Sequence, residues 1–399
     1  MLSRRVFLSG AACVAPLWLQ RAAAASSRRK ILVAVFQRGA MDGLNAVIPH
    51  TDEVYYKARP SIAIPKSDVL DLGDGRFGLH PALAPLHALW NRKQLAIVHA
   101  AGSHDLTRSH FDAQDYMESG TPGLKSTRDG WLNRALPPMP DAKTPLRAVS
   151  IGPRLARTLR GANSAVAINS IRDFKVRDRG SKDELESMYS GTADATLAAP
   201  GRDTFEAVKL VEKIDKQPYT PAAGAKYPVG SSFGASLQQI ARLVKADVGL
   251  EVAFADIGGW DTHNNESARL QGLLTDFAGS LGAFAADLGD RFEDVTVVTM
   301  SEFGRTVREN GSGGTDHGHA NAMFVLSGSA ALSGGKVHGR WPGLAPELLH
   351  EGRDLAVATD FRAVLGEVVS RQLGVKDVAR VFPGGPAAVV AKGVGVMGA

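Results

Sequence analysis

LEVAFADIGGWDTH, residues 250 to 263, sets an apolar run beside two glycines and then an aspartate and a histidine two positions apart. Leu250 to Ala255 has the length and composition of a buried strand. A helical pattern follows from Ser267 to Leu288. In extended backbone, residues two apart project to the same side, so Asp261 and His263 can act on one ligand. Strand, ligand-bearing loop and helix together are the repeating unit of an α/β fold, in which ligands collect in the loops that leave the carboxyl ends of the strands.

The same unit recurs along the chain. Ile31 to Phe36, Leu95 to His99, Leu146 to Ile151, Val295 to Met300 and Ala322 to Leu326 read as further buried strands. Pro81 to Asn91, His110 to Ser119, Thr204 to Asp215, Ala235 to Lys245 and Asp360 to Leu373 read as helices, many with Ser, Thr, Asp or Gly near the start. The alternation predicts an α/β fold, a largely parallel β-sheet with helices on both faces. One domain is expected over 26 to 399, with a polar insertion or cap around 172 to 230, where Gly, Ser, Asp and Pro accumulate.

Outward from GGWDTH, two more glycine-flanked stretches carry metal-ligating residue types: SEFGR (301 to 305) with Glu302, and GTDHGHAN (314 to 321) with Asp316, His317 and His319. RGAMDGLN (38 to 45) adds Asp42 directly after the first strand. Asp261, His263, Glu302, Asp316, His317, His319 and Asp42 are therefore the candidate ligands of a divalent metal ion, Zn, Mn, Mg or Ca. Other readings compete. Asp42 before Gly43 suits an Asx turn, Glu302 can pair with Arg305 or Arg308, and a solvated loop explains Asp316 to His319.

The first residues bound the setting. Ser3-Arg4-Arg5-Val6-Phe7-Leu8, an apolar run to Leu19 and Ala22 to Ala25 make a twin-arginine signal peptide over residues 1 to 25. A periplasmic or secreted protein is expected, with the twin-arginine translocation machinery as a partner. The single cysteine, Cys13, leaves with the signal, so no disulfide is expected. Of 46 basic and 41 acidic side chains, Arg4, Arg5 and Arg21 leave too, so the formal net charge falls from +5 to +2. That excludes a charge-based case for nucleic acid or a membrane surface. No later apolar run reaches the roughly 18 residues of a membrane helix. No Gly-x-Gly-x-x-Gly opens a helix after a strand, which disfavours a dinucleotide enzyme.

RGAMDGLN, FGLHPAL (77 to 83), SHFDAQDYMESG (109 to 120), GWLNR (130 to 134), GGWDTH, SEFGRT, ENGSGGTDHG (309 to 318) and TDFR (359 to 362) together resemble the DUF1501 family of exported bacterial proteins, placed in the alkaline phosphatase and sulfatase superfamily. The resemblance implies an alkaline phosphatase-like fold with a metal site at the carboxyl edge of the sheet. It implies Asp42 as a metal ligand and Ser109, opening a helix, as nucleophile. Ser109 with Asp112 three residues on also reads as an ordinary N-cap. Arg108 and Arg305, with Arg38 as a third candidate, suit the oxygens of an anionic ester substrate, phosphate or sulfate. His110 or His104 is placed to protonate a leaving group. The chain departs from the superfamily where Glu302-Phe303 replaces an Asp-His pair and where His263 follows Asp261 by two residues rather than four. His317 or His319 is then expected to supply the missing imidazole. The alternative function is a secreted binding or accessory protein that keeps the fold around a degenerate metal site.

Overall fold

The computed structural model describes residues 28 to 137, 144 to 174, 187 to 189, 195 to 385 and 393 to 398. The signal peptide expected at 1 to 25 lies outside these residues, as does part of the 172 to 230 stretch. A nine-stranded sheet forms the centre. Its strands are β1 (Ile31–Gln37), β2 (Leu95–Gly102), β3 (Ala148–Ile151), β4 (Val166–Ile168), β5 (Val252–Ile257), β6 (Val295–Met300), β7 (Asn321–Ser327), β8 (Lys336–His338) and β9 (Thr359–Asp360). They lie in the order β8-β2-β7-β6-β1-β5-β3-β4, with β9 beside the end of β2. Every pairing is parallel except those of β7, which runs antiparallel to β2 and β6.

β1 is buried along its whole length, and its alternation divides the core in two. Ile31, Val33 and Val35 face one side with α1 (Ala84–Asn91), α4 (Ser232–Lys245) and α5 (Glu266–Leu288). Leu32, Ala34 and Phe36 face the other with Trp131, Phe382 and α6 (Phe361–Leu373). An unbroken apolar run such as Ile31 to Phe36 is the mark of a sheet covered on both faces. α2 (His110–Ser119) follows β2, and α3 (Ala195–Asp215) buries Ala207, Val211 and Ile214 in the first of these cores. Among the described residues no helix is long and apolar enough to cross a membrane.

The topology decides where the functional loops meet. β1, β2, β5 and β6 are mutually aligned, so their carboxyl ends share one edge of the sheet. β7 runs the other way, so the loop preceding it, residues 314 to 320, begins at that same edge.

Candidate metal centre

Four side chains converge at this edge: His110 at the first position of α2, Asp261 and His263 after β5, and His317 before β7. His317 Nε2 lies 3.0 Å from His110 Nε2, 2.9 Å from His263 Nε2 and 3.3 Å from Asp261 Oδ1. Asp261 Oδ1 is 3.5 Å from His110 Nε2 and 3.0 Å from His263 Nε2. His110, Asp261 and His317 form the group of metal-capable atoms among the described residues.

The outer nitrogens assign the protons. His110 Nδ1 faces the Glu302 carboxylate at 2.8 Å, His263 Nδ1 faces the Asp316 carboxylate at 3.0 Å, and His317 Nδ1 faces the Arg108 carbonyl at 2.9 Å. Each acceptor lacks a hydrogen, so each Nδ1 donates one, and each ring in its neutral form points its Nε2 lone pair inward. Three lone pairs and a carboxylate oxygen facing one another repel unless a proton or a metal cation sits between them.

Glycines permit the approach. Gly314 runs against the His263 backbone, where a Cβ would stand 2.4 Å from the His263 carbonyl carbon. Gly39, with φ +115°, lies so close that a Cβ would stand 2.7 Å from the Asp261 nitrogen. Only glycine fits such contacts.

Charge is arranged around the four. Burial pushes the Asp261 carboxyl up, but the Arg305 guanidinium, 2.6 Å away, outweighs it and holds the group at about 2. Burial also opposes the Glu302 charge, yet bonds from His110 and Gln114 keep its pKa below the usual range. His110 is raised by its bond to Glu302, and His317 is lowered by burial and by the neighbouring His110. The Asp316 carboxyl is lowered, chiefly by a bond from Asn310.

The remaining sequence candidates take other positions. Glu302 and Asp316 stand one layer out, behind His110 and His263. Asp42 caps the short helix Gly43–Ala46 through Leu44 N and Asn45 N, and its second oxygen binds Arg59 at 2.6 Å. His319 Nε2 donates to the Ser103 carbonyl at 2.9 Å, and its ring packs on His350. Ser109 is exposed and accepts from Asp112 N at 3.5 Å. Arg108 is held by Glu351 and Asp354. Arg305 is buried, donating to the carbonyls of Gly39, Ala40, Trp260 and Thr315 besides Asp261. The sequence offers His110 as a leaving-group acid, and no local signal marks it as a ligand.

Fold and site define an α/β protein with a three-histidine, one-aspartate cluster at the carboxyl edge of a mainly parallel sheet. The family model described as "Protein of unknown function (DUF1501)" matches residues 79–383, and the chain belongs to that family. No curated protein matches it. Similar solved structures include the PsFucS1 sulfatase from Pseudoalteromonas sp., at TM-score 0.43 and 10% identity, covering 95% of this chain and 75% of that one. A mutant TAB5 alkaline phosphatase with bound Mg has TM-score 0.33 and 13% identity, covering 76% of this chain and 92% of that one.

Proposed function

We propose that the chain is an exported metal-dependent hydrolase of phosphate or sulfate esters, holding one divalent cation through Nε2 of His110, His263 and His317 and a carboxylate oxygen of Asp261. The inward-facing Nε2 lone pairs carry this reading, because each outer nitrogen is committed to an oxygen in the way that orients histidine ligands. The spacing fits. Neighbouring nitrogen ligands of a zinc ion lie about 3.3 Å apart, from Zn–N bonds of about 2.05 Å, and His317 Nε2 and Asp261 Oδ1 lie 2.9 to 3.5 Å from each other and from the Nε2 atoms of His110 and His263. Three nitrogens suit Zn or another transition ion better than Ca or Mg, which take oxygen ligands.

A cation bound there supplies Lewis acidity toward a phosphoryl or sulfuryl oxygen. The chain's own groups do the rest. Glu302, Asp316 and the Arg108 carbonyl hold the imidazoles, and Arg305 balances Asp261. Ser109, exposed beside His110, has no hydrogen-bonded base and its hydroxyl is the nucleophile in this reading. It opens the ten-residue helix α2, whose N-terminus favours an anionic ester.

The saturation of Arg305 favours a second reading, a metal-holding binding or accessory protein, since that buried guanidinium is not free to clamp substrate oxygens and Arg108 already gives its Nη2 to Glu351 and Asp354. One experiment separates the two: metal analysis of protein from its export route, with aryl phosphates, phosphodiesters and aryl sulfates assayed on wild type, His317→Ala and Ser109→Ala. The hydrolase reading expects about one equivalent of metal and turnover lost in both variants. Bound metal without turnover selects the binding protein, and a metal-free preparation indifferent to chelator removes both.

A further inference from the structure

His110, Gln114 and Glu118 are spaced four apart on α2, and so lie along one face of the helix. Gln114 Nε2 donates to Glu302 Oε1 at 2.8 Å, the same oxygen that accepts from His110 Nδ1. On its other side Gln114 Oε1 accepts from Arg38 Nη1 at 3.0 Å. Arg38 is in turn fixed by Glu118 Oε1 at 3.0 Å and Asp256 Oδ2 at 2.6 Å. The direction of the amide is forced. Turned over, it would set its oxygen against the Glu302 carboxylate and its NH2 against the Arg38 guanidinium, losing both bonds at once.

Glu302 is buried and has no competing orientation. Oε1 also accepts from Gly39 N at 2.8 Å. Three donors converge on Oε1, His110 Nδ1, Gln114 Nε2 and Gly39 N, and Gln114 reaches it from the same helix as His110. A shift of Gln114 therefore moves the oxygen that decides which His110 nitrogen carries the proton.

Resting on the metal-centre reading above, we propose that Gln114 is a positioning residue for His110. Oriented by Arg38, it fixes Glu302 Oε1 so that His110 holds its proton on Nδ1 and presents Nε2 to the site. Arg38 thereby acts behind the site rather than on substrate.

The test uses the mature protein and two readouts. Cobalt(II) titration gives the metal affinity, and ¹⁵N–¹H spectra of histidine-labelled, metal-free protein give the His110 tautomer. Gln114→Glu keeps the size but presents an acceptor to Glu302, Gln114→Leu removes the donor, and Arg38→Gln releases the amide from outside the site. Gln114→Glu and Gln114→Leu are expected to weaken cobalt binding about tenfold to hundredfold. Both should shift His110 away from the Nδ1–H form, and Arg38→Gln should do the same more weakly. A merely structural role would lower Tm and leave tautomer and affinity unchanged. That result, in the variants that fold, overturns the proposal. Wild-type protein that binds no cobalt would instead remove the metal reading, while the tautomer shift still decides the role of Gln114.

Discussion

His317 Nε2 stands 2.9 Å from His263 Nε2 while the opposite nitrogen of each ring is committed to an oxygen. Two lone pairs at that distance destabilise the empty cluster, and a cation between them removes the repulsion. Zinc or cobalt is therefore expected to raise Tm, and about a hundredfold excess over Kd stabilises by about 2.7 kcal/mol. Thermal melts with and without each metal measure this. His317→Ala should abolish the shift, and Mg or Ca should produce little of it. An equal shift in His317→Ala would place the metal elsewhere.

Asp42 and Arg59 form a fully buried ion pair at 2.6 Å, with Arg59 also donating to the carbonyls of Thr306 and Val307. Both Asp42 oxygens are thus in use within the protein. Arg59→Ala leaves a buried carboxylate without its partner and is expected to cost about 3–5 kcal/mol in denaturant unfolding. Asp42→Asn should lower stability yet retain wild-type metal content by elemental analysis. Loss of metal in that variant would restore Asp42 as a ligand.

The fold was legible because β1, β5, β6 and β7 are apolar runs bounded by glycine or polar turns. Val166–Ile168, Lys336–His338 and Thr359–Asp360 were not, since two or three residues carry no periodicity. Within the site, Asp261 and His263 were legible from their spacing, and His317 from the density of ligand types around it. His110 was hidden. Ser109 and Asp112 already explain that segment as a helix start, and Glu302, which gives the imidazole its orientation, is 192 residues away in sequence. Asp42 is the converse case. An aspartate closing the first strand looks like a ligand until Arg59, itself unremarkable in sequence, is found against it.

Arg305 ties three loops together by donating to carbonyls at Gly39 and Ala40, at Trp260 and at Thr315, as well as to Asp261. Lysine keeps the charge but cannot span these acceptors. Arg305→Lys is expected to cost roughly 2 kcal/mol or more through unsatisfied buried carbonyls, and to weaken metal binding. Turnover of an aryl ester should recover at saturating metal if Arg305 acts through the loops. A kcat/KM that stays low at saturating metal would make it a substrate contact instead.

Glu266 is buried beside Asp42, accepting from Asn45 Nδ2, Thr262 Oγ1 and Thr315 Oγ1. Burial first, and then the Asp42 charge, push its pKa up from 4.5 to about 9, so the folded protein keeps a proton there that the unfolded chain has lost. Between those two values the native state binds the more protons, and stability from this group falls as pH rises, levelling above about 9. Asp42 has the opposite sign: burial opposes its charge, Arg59, Glu266 and the Asn45 backbone together outweigh burial, and the stability it contributes is lost only in acid, below the ordinary carboxylate range. Glu266→Gln keeps a buried hydrogen-bonding group and removes the titration. The stability difference between variant and wild type should therefore grow in favour of the variant from pH 5 to 9, by at most about 1.4 kcal/mol per unit. Denaturant unfolding of both proteins across that range measures it. Parallel curves would show that Glu266 carries no proton in the native state at neutral pH.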